Sequence, residues 1–159
     1  SSGQEPYSIA MTVLELCPQA VELDIKILAT DIDPEILKRA RSGVYSYEEV
    51  APISAALKQE YLEQVKNSKA TFKVGPRPRS LISFGELNLI KRLPFHGPID
   101  VIFCRNVAIY FDDETQQTLW ETFSKILTDR GYLIIGHSEL ISGSIRSKFE
   151  SVATTAYRK

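Results

Sequence analysis

Val101-Ile102-Phe103 is a run of β-forming apolar residues that stops at Cys104-Arg105-Asn106. Through Tyr110 and Phe111 the chain then passes into a helical pattern from Asp112. A short apolar run bounded by polar residues and followed by a helix is a strand whose carboxyl end carries polar groups. In open α/β sheets, ligands bind at those ends. A core strand followed by a solvated turn accounts for Val101 to Phe103. It does not account for Arg105, Asn106 and Tyr110 gathering at one strand end, so this end is read as a functional site.

The rest of the chain repeats the alternation. Pro6 suits the first turn of a helix, where its missing N–H has no partner, and Ile9, Ala10, Val13, Leu14 and Cys17 share one face before Pro18. Residues 25–30 read as a strand closed by Asp31-Ile32-Asp33-Pro34. Asp33 is a good N-cap, Pro34 a good first helical residue, and Ser42-Gly43 ends the helix that carries Ile36, Leu37 and Ala40 inward. Ser54 to about Val65 reads as an amphipathic helix. Residues 70–74 and 80–84 are β-prone runs around Gly75-Pro76-Arg77-Pro78-Arg79, which predicts a hairpin or strand pair, a candidate β-subdomain over 70–84. A helix from Asp112 to Leu127, a buried strand at 132–135 and a β-prone segment at 151–157 follow.

Strands alternating with helices over short links imply α/β architecture: a doubly wound, mostly parallel sheet with the small hairpin subdomain attached. Residues 25–30, 101–103 and 132–135 are the expected central strands. A nucleotide-binding domain of this kind opens with a strand and a Gly-rich turn. Here the chain opens in the turn, so the expectation is one domain over 1–159 without its first strand, with a gap or exposed edge in its place.

Composition narrows the function classes. At 159 residues the chain suits about one domain, and a net charge of −1 leaves no basic footprint for nucleic acid. No apolar run is long enough to be membrane-embedded and no signal peptide is visible, which with two cysteines points to reduced thiols and a cytoplasmic protein. The Cys and His spacing matches no metal motif, so no metal is expected.

Individual residues carry paired readings. Asp31, at a strand end, can accept hydrogen bonds from a ribose diol or help cap the next helix; Asp33 suits capping better, which leaves Asp31 to a ligand. Glu5 is stabilised by the start of the first helix or meets a cationic ligand group. Asn88 reads an adenine edge or shapes a loop. His137 serves acid–base chemistry or structural hydrogen bonding, and with no Ser or Cys nucleophile motif beside it the structural role is favoured. Arg77 and Arg79 are solvated surface, or the rim of an edge that recruits a peptide strand.

Ser2-Gly3-Gln4-Glu5-Pro6-Tyr7-Ser8, Ala29-Thr30-Asp31-Ile32-Asp33, the stretch from Cys104-Arg105-Asn106-Val107 to Tyr110-Phe111-Asp112, and Gly136-His137-Ser138-Glu139 together resemble the CheR family. These are chemotaxis receptor glutamate O-methyltransferases that use S-adenosylmethionine and release S-adenosylhomocysteine. Four motifs in the same order cover nearly the whole chain. The resemblance implies that Gly3 and Glu5 belong to the cofactor loop, with Glu5 near the methionine amino group. Asp31 would bind the ribose hydroxyls, Asn88 and Leu89 would flank the adenine, and Arg105 and Asn106 would line the methionine side. Arg105 and Tyr110 would be the catalytic pair beside the transferred methyl and the incoming glutamate. The implied partners are chemotaxis receptor cytoplasmic helices or a receptor tail peptide, the latter gripped through the β-subdomain near 70–83. Gln4 stands where the family usually has Glu, and the helical domain that precedes this one in the family is not in the sequence. Two rival expectations remain: methyl transfer to another substrate, or a non-catalytic interaction domain that keeps the fold.

Overall fold

A computed structural model describes residues 2–66 and 68–159. The chain divides into two compact units, Ser1–Asn88 and Leu89–Lys159. Both mix helices with strands, and each contains a parallel strand pair.

The first unit runs α1 (Gln4–Leu16), β1 (Ile27–Asp31), α2 (Pro34–Ser42), β2 (Val44–Ser46), α3 (Tyr47–Val50), α4 (Ala55–Tyr61), β3 (Leu62–Gln64), β4 (Thr71–Val74), α5 (Pro76–Ser80) and β5 (Ile82–Glu86). Helix α1 buries Tyr7, Ala10, Met11 and Leu14, with Val13 and Cys17 partly buried against the same core. The boundaries of α2 follow local chemistry. The Asp33 carboxylate accepts the N–H groups of Glu35 (2.8 Å) and Ile36 (3.4 Å), Pro34 fills the first turn, and Gly43 closes the helix at φ 63°.

Strands β1 and β5 pair in parallel, Ile27 opposite Ile82 through Asp31 opposite Glu86. Between them in sequence lies a separate antiparallel sheet of order β2-β4-β3. This arrangement corrects two sequence expectations. The runs at 70–74 and 80–84 do not pair as a hairpin: β4 lies in the antiparallel sheet and β5 in the parallel one. The intervening Gly-Pro-Arg-Pro-Arg stretch winds into α5 because Pro76 suits a first helical turn after Gly75. The helix expected from Ser54 to Val65 also ends early. Leu62, Glu63 and Gln64 turn extended and take ladder partners on β4, a tertiary pairing that overrides the helical periodicity.

The second unit runs β6 (Ile99–Cys104), a 3₁₀ turn (Ala108–Tyr110), α6 (Asp113–Ile126), β7 (Leu127–Ile135), a second 3₁₀ turn (Ser144–Lys148), β8 (Glu150–Ala153) and β9 (Ala156–Arg158). Its sheet has the order β6-β7-β9-β8, with β6 and β7 parallel and the last two pairings antiparallel. Asp112 caps α6 by accepting the Thr115 N–H at 2.8 Å. The core gathers Leu119, Trp120 and Phe123 from α6 with Leu133 and Ile135 from β7. The run at 101–103, expected in a central strand, lies in β6 at the end of this sheet's strand order: Cys104 is inward, while Val101 and Phe103 lie on a face left 44% and 40% exposed.

Candidate functional site

In the first unit, the parallel register ends both strands together, and the Leu87 N–H donates to the Asp31 carbonyl at 3.0 Å just past β5. Asp31 and Asn88 therefore leave the sheet at the same, carboxyl end. Asp33 caps α2, as the sequence suggested. The Asp31 carboxylate accepts the Asp33 N–H at 3.0 Å, a short turn that steers the chain into the helix. Asn88 is half-buried.

Gly3 is buried at the N-cap of α1, in the left-handed region at φ 101°. A Cβ there would stand 2.5 Å from the Tyr45 hydroxyl and 3.1 Å from Ala40, so only glycine fits. The Tyr45 hydroxyl donates to the Ser2 carbonyl (2.9 Å) and the Tyr7 hydroxyl to the Ala40 carbonyl (3.0 Å). Burial pushes both phenols above their ordinary value, so both remain protonated donors. These bonds hold the start of α1, and with it Glu5, which is half-buried in the first turn.

In the second unit, Cys104 of β6 lies opposite Ile135 of β7, so the next residues, Arg105 and Gly136, emerge at one sheet end. Asn106 follows in the left-handed region at φ 58°. The chain then makes the 3₁₀ turn that presents Tyr110, 80% exposed. Arg105, Asn106 and Tyr110 are thus gathered on one short loop, as expected. Leu89 opens this unit and lines a shallow cavity of ≈ 380 Å³ with Leu93 and Leu119. His137 is exposed on the loop after β7.

Sequence reasoning missed Glu139. Its carboxylate, in a residue 8% exposed, accepts four backbone N–H groups: Asn106 at 3.0 Å, Val107 at 2.9 Å, Ala108 at 2.8 Å and Gly136 at 2.6 Å. It ties the loop after β7 to the loop after β6. The sequence pointed to it only as the last residue of the Gly136-His137-Ser138-Glu139 motif, to which no role of its own was given.

Arg77 is exposed, as one sequence reading had it, and Arg79 is half-buried. Arg77 donates to the Pro18 carbonyl (3.0 Å) and pairs with Glu60 (3.2 Å), while Arg79 donates to the carbonyls of Ser42 (2.8 Å) and Arg41 (2.9 Å). Both guanidinium groups therefore bind backbone within the unit, Arg79 at the carbonyl end of α2. Among the described residues no cluster of His, Cys, Asp and Glu is arranged to hold a metal ion, and no helix is long and apolar enough to cross a membrane.

Chemically, each unit's strand end carries its own polar groups. The carboxylates of Asp31 and Glu5 accept from hydroxyl or ammonium groups, the Asn88 amide can donate and accept, and the Arg105 guanidinium complements a carboxylate.

Residues 1–158 match the family model described as "CheR methyltransferase, SAM binding domain". A probable chemotaxis protein methyltransferase of Rhizobium etli is 47% identical over 159 residues, 99% of this chain and 59% of that protein. The chemotaxis protein methyltransferases of Borreliella burgdorferi and Escherichia coli are 40% and 38% identical, over 100% and 99% of this chain and 56% and 55% of theirs. The chain spans a little over half the length of these relatives.

Proposed function

Because the chain belongs to the CheR methyltransferase family, we propose that it binds S-adenosylmethionine and serves methyl transfer to the side-chain carboxylate of glutamate residues in chemotaxis receptors. The observation that carries this reading is the placement of Asp31 with Asn88, and of Arg105 with Asn106 and Tyr110, at the carboxyl ends of parallel strands. The residues fit the cofactor by donor chemistry. In the first unit, Asp31 accepts from the ribose hydroxyls, Glu5 from the methionine ammonium on the tightly packed turn that Gly3 permits, and Asn88 meets the adenine edge. In the second, Leu89 offers apolar surface to the adenine, and Arg105 and Asn106 line the methionine side. The finer architecture proposed with this reading is doubly wound, with the antiparallel sheet of β2, β4 and β3 as the receptor-facing subdomain.

Bound S-adenosylmethionine supplies a sulfonium methyl open to in-line attack by a carboxylate. A receptor glutamate is already ionised at neutral pH, its reference pKa being about 4.3, so no general base is required. The chain's own task is then alignment, which can lower a barrier by about 7–11 kcal/mol. Arg105 steers the incoming carboxylate, and Tyr110 walls the reacting centre and donates a hydrogen bond to it.

The test is calorimetric titration of the intact protein with S-adenosylhomocysteine, together with transfer of tritiated methyl to a receptor cytoplasmic fragment. Saturable binding with base-labile label on the fragment is the expected result. Binding without label moves the methyl to another acceptor. No binding leaves an interaction domain.

A further inference from the structure

We infer that Glu139 is a positioning residue for the methyl-donor site: its buried carboxylate sets the backbone of the loop that carries Arg105, Asn106 and Tyr110. The inference rests on the function proposed above and adds a residue to it. An ionised carboxylate has about four lone-pair sites, and here four N–H groups occupy them, three from successive residues of the loop after β6. Converging N–H groups repel one another, and a negative charge at their centre is what holds them there.

Two further features follow from this geometry. Asn106 sits at φ 58°, a conformation L side chains seldom adopt, and its N–H is bound by Glu139 Oε2. Gly136 admits the close approach: a Cβ there would stand 2.8 Å from Glu139 Oε2 and 3.1 Å from the Asn106 nitrogen. Arg105 is thereby bracketed, with Cys104 fixed in the β6–β7 ladder on one side and Asn106 pinned by Glu139 on the other. Side chains that must meet a ligand start from a backbone that has little left to order, which is the advantage of preorganisation.

Glu139→Gln tests the charge at nearly constant shape. The new NH₂ group faces two N–H donors where an oxygen accepted them, so two of the four bonds become clashes. In the intact protein, S-adenosylhomocysteine should bind about ten- to hundredfold more weakly, because a loop released by Glu139 must be ordered again on binding. KM for S-adenosylmethionine should rise by a similar factor, and methyl transfer to the receptor fragment should fall as well, because Arg105 and Tyr110 ride on the same loop. Ile141→Ala is the control: it empties space at a residue 1% exposed, two positions away, without touching the carboxylate. It should lower the melting temperature but leave affinity within about twofold of the parent. Unchanged affinity in Glu139→Gln, or an equal loss in Ile141→Ala, overturns the inference. Should Glu139→Gln not fold, hydrogen exchange on the unmutated protein decides. The amides of residues 106–108 and 136 should be protected despite the exposed loop, and rapid exchange overturns the inference. If the unmutated protein itself binds no S-adenosylhomocysteine, the proposed function falls instead.

Discussion

Asp31 and Asp33 stand two positions apart, and their substitution should separate ligand binding from helix capping. Asp33→Ala removes the acceptor for Glu35 and Ile36 N–H, which should cost about 1 kcal/mol of stability and leave S-adenosylhomocysteine affinity alone. Asp31→Ala removes a charged acceptor from the proposed ribose contact and should weaken binding by about 1.5–3 kcal/mol. Thermal melting and calorimetry on the two variants check both halves, and equal affinity in Asp31→Ala would take that residue out of the site. At this scale the sequence was legible wherever a residue's partners are its neighbours. Asp33 could be read as a cap because its donors lie two and three positions on. Glu139 could not, because three of its donors lie more than thirty residues back, and no local pattern announces a carboxylate turned inward to meet them.

The elements show the same division between local and distant causes. Helices α2 and α6 start where the sequence suggested, α2 with Asp33 as the cap read there, whereas α4 stops early and β4 and β5 separate because their partners come from elsewhere in the chain. Arg79 illustrates what the sequence hid: a residue read as solvated or peptide-recruiting closes the open carbonyl end of α2. Arg79→Ala should leave two carbonyls to water and cost about 0.5–1.5 kcal/mol, measured by denaturant unfolding. Asp112 gives a pH effect with a definite sign. Its hydrogen bonds with Thr115 hold its carboxyl below the ordinary value. A lowered folded value means that this contribution is complete above the unfolded pKa of about 3.9 and is lost as pH falls through the folded one. Asp112→Asn keeps a good cap without a titrating group, so its unfolding midpoint should fall less steeply with acid. Parallel acid limbs in the two proteins would show that the cap charge is not linked to folding.

For the whole chain, the apolar surface that each unit leaves uncovered has consequences for association. Among the described residues, β6 is paired only with β7 and β1 only with β5, so each has a second edge whose backbone N–H and C=O groups find no strand. In the second unit this edge adjoins an apolar face on which Val101 is 44%, Phe103 40% and Tyr132 39% exposed. An unpaired edge next to large apolar side chains is a template for pairing with another chain. Residues 1–159 expressed alone should therefore associate as concentration rises from micromolar to millimolar, which sedimentation or light scattering will show. Lysine at Phe103 should suppress that association, since charge on an edge strand deters pairing. It should do so without lowering the stability by more than about 1 kcal/mol, because a half-exposed side chain contributes little to the core beneath it. The contrast with a core position is the control: Leu133→Ala, at a fully buried residue of β7, should destabilise by about 2–5 kcal/mol and promote association. A chain that stays monomeric over this whole range would mean that the open edge and face do not pair, and Phe103→Lys would then change nothing.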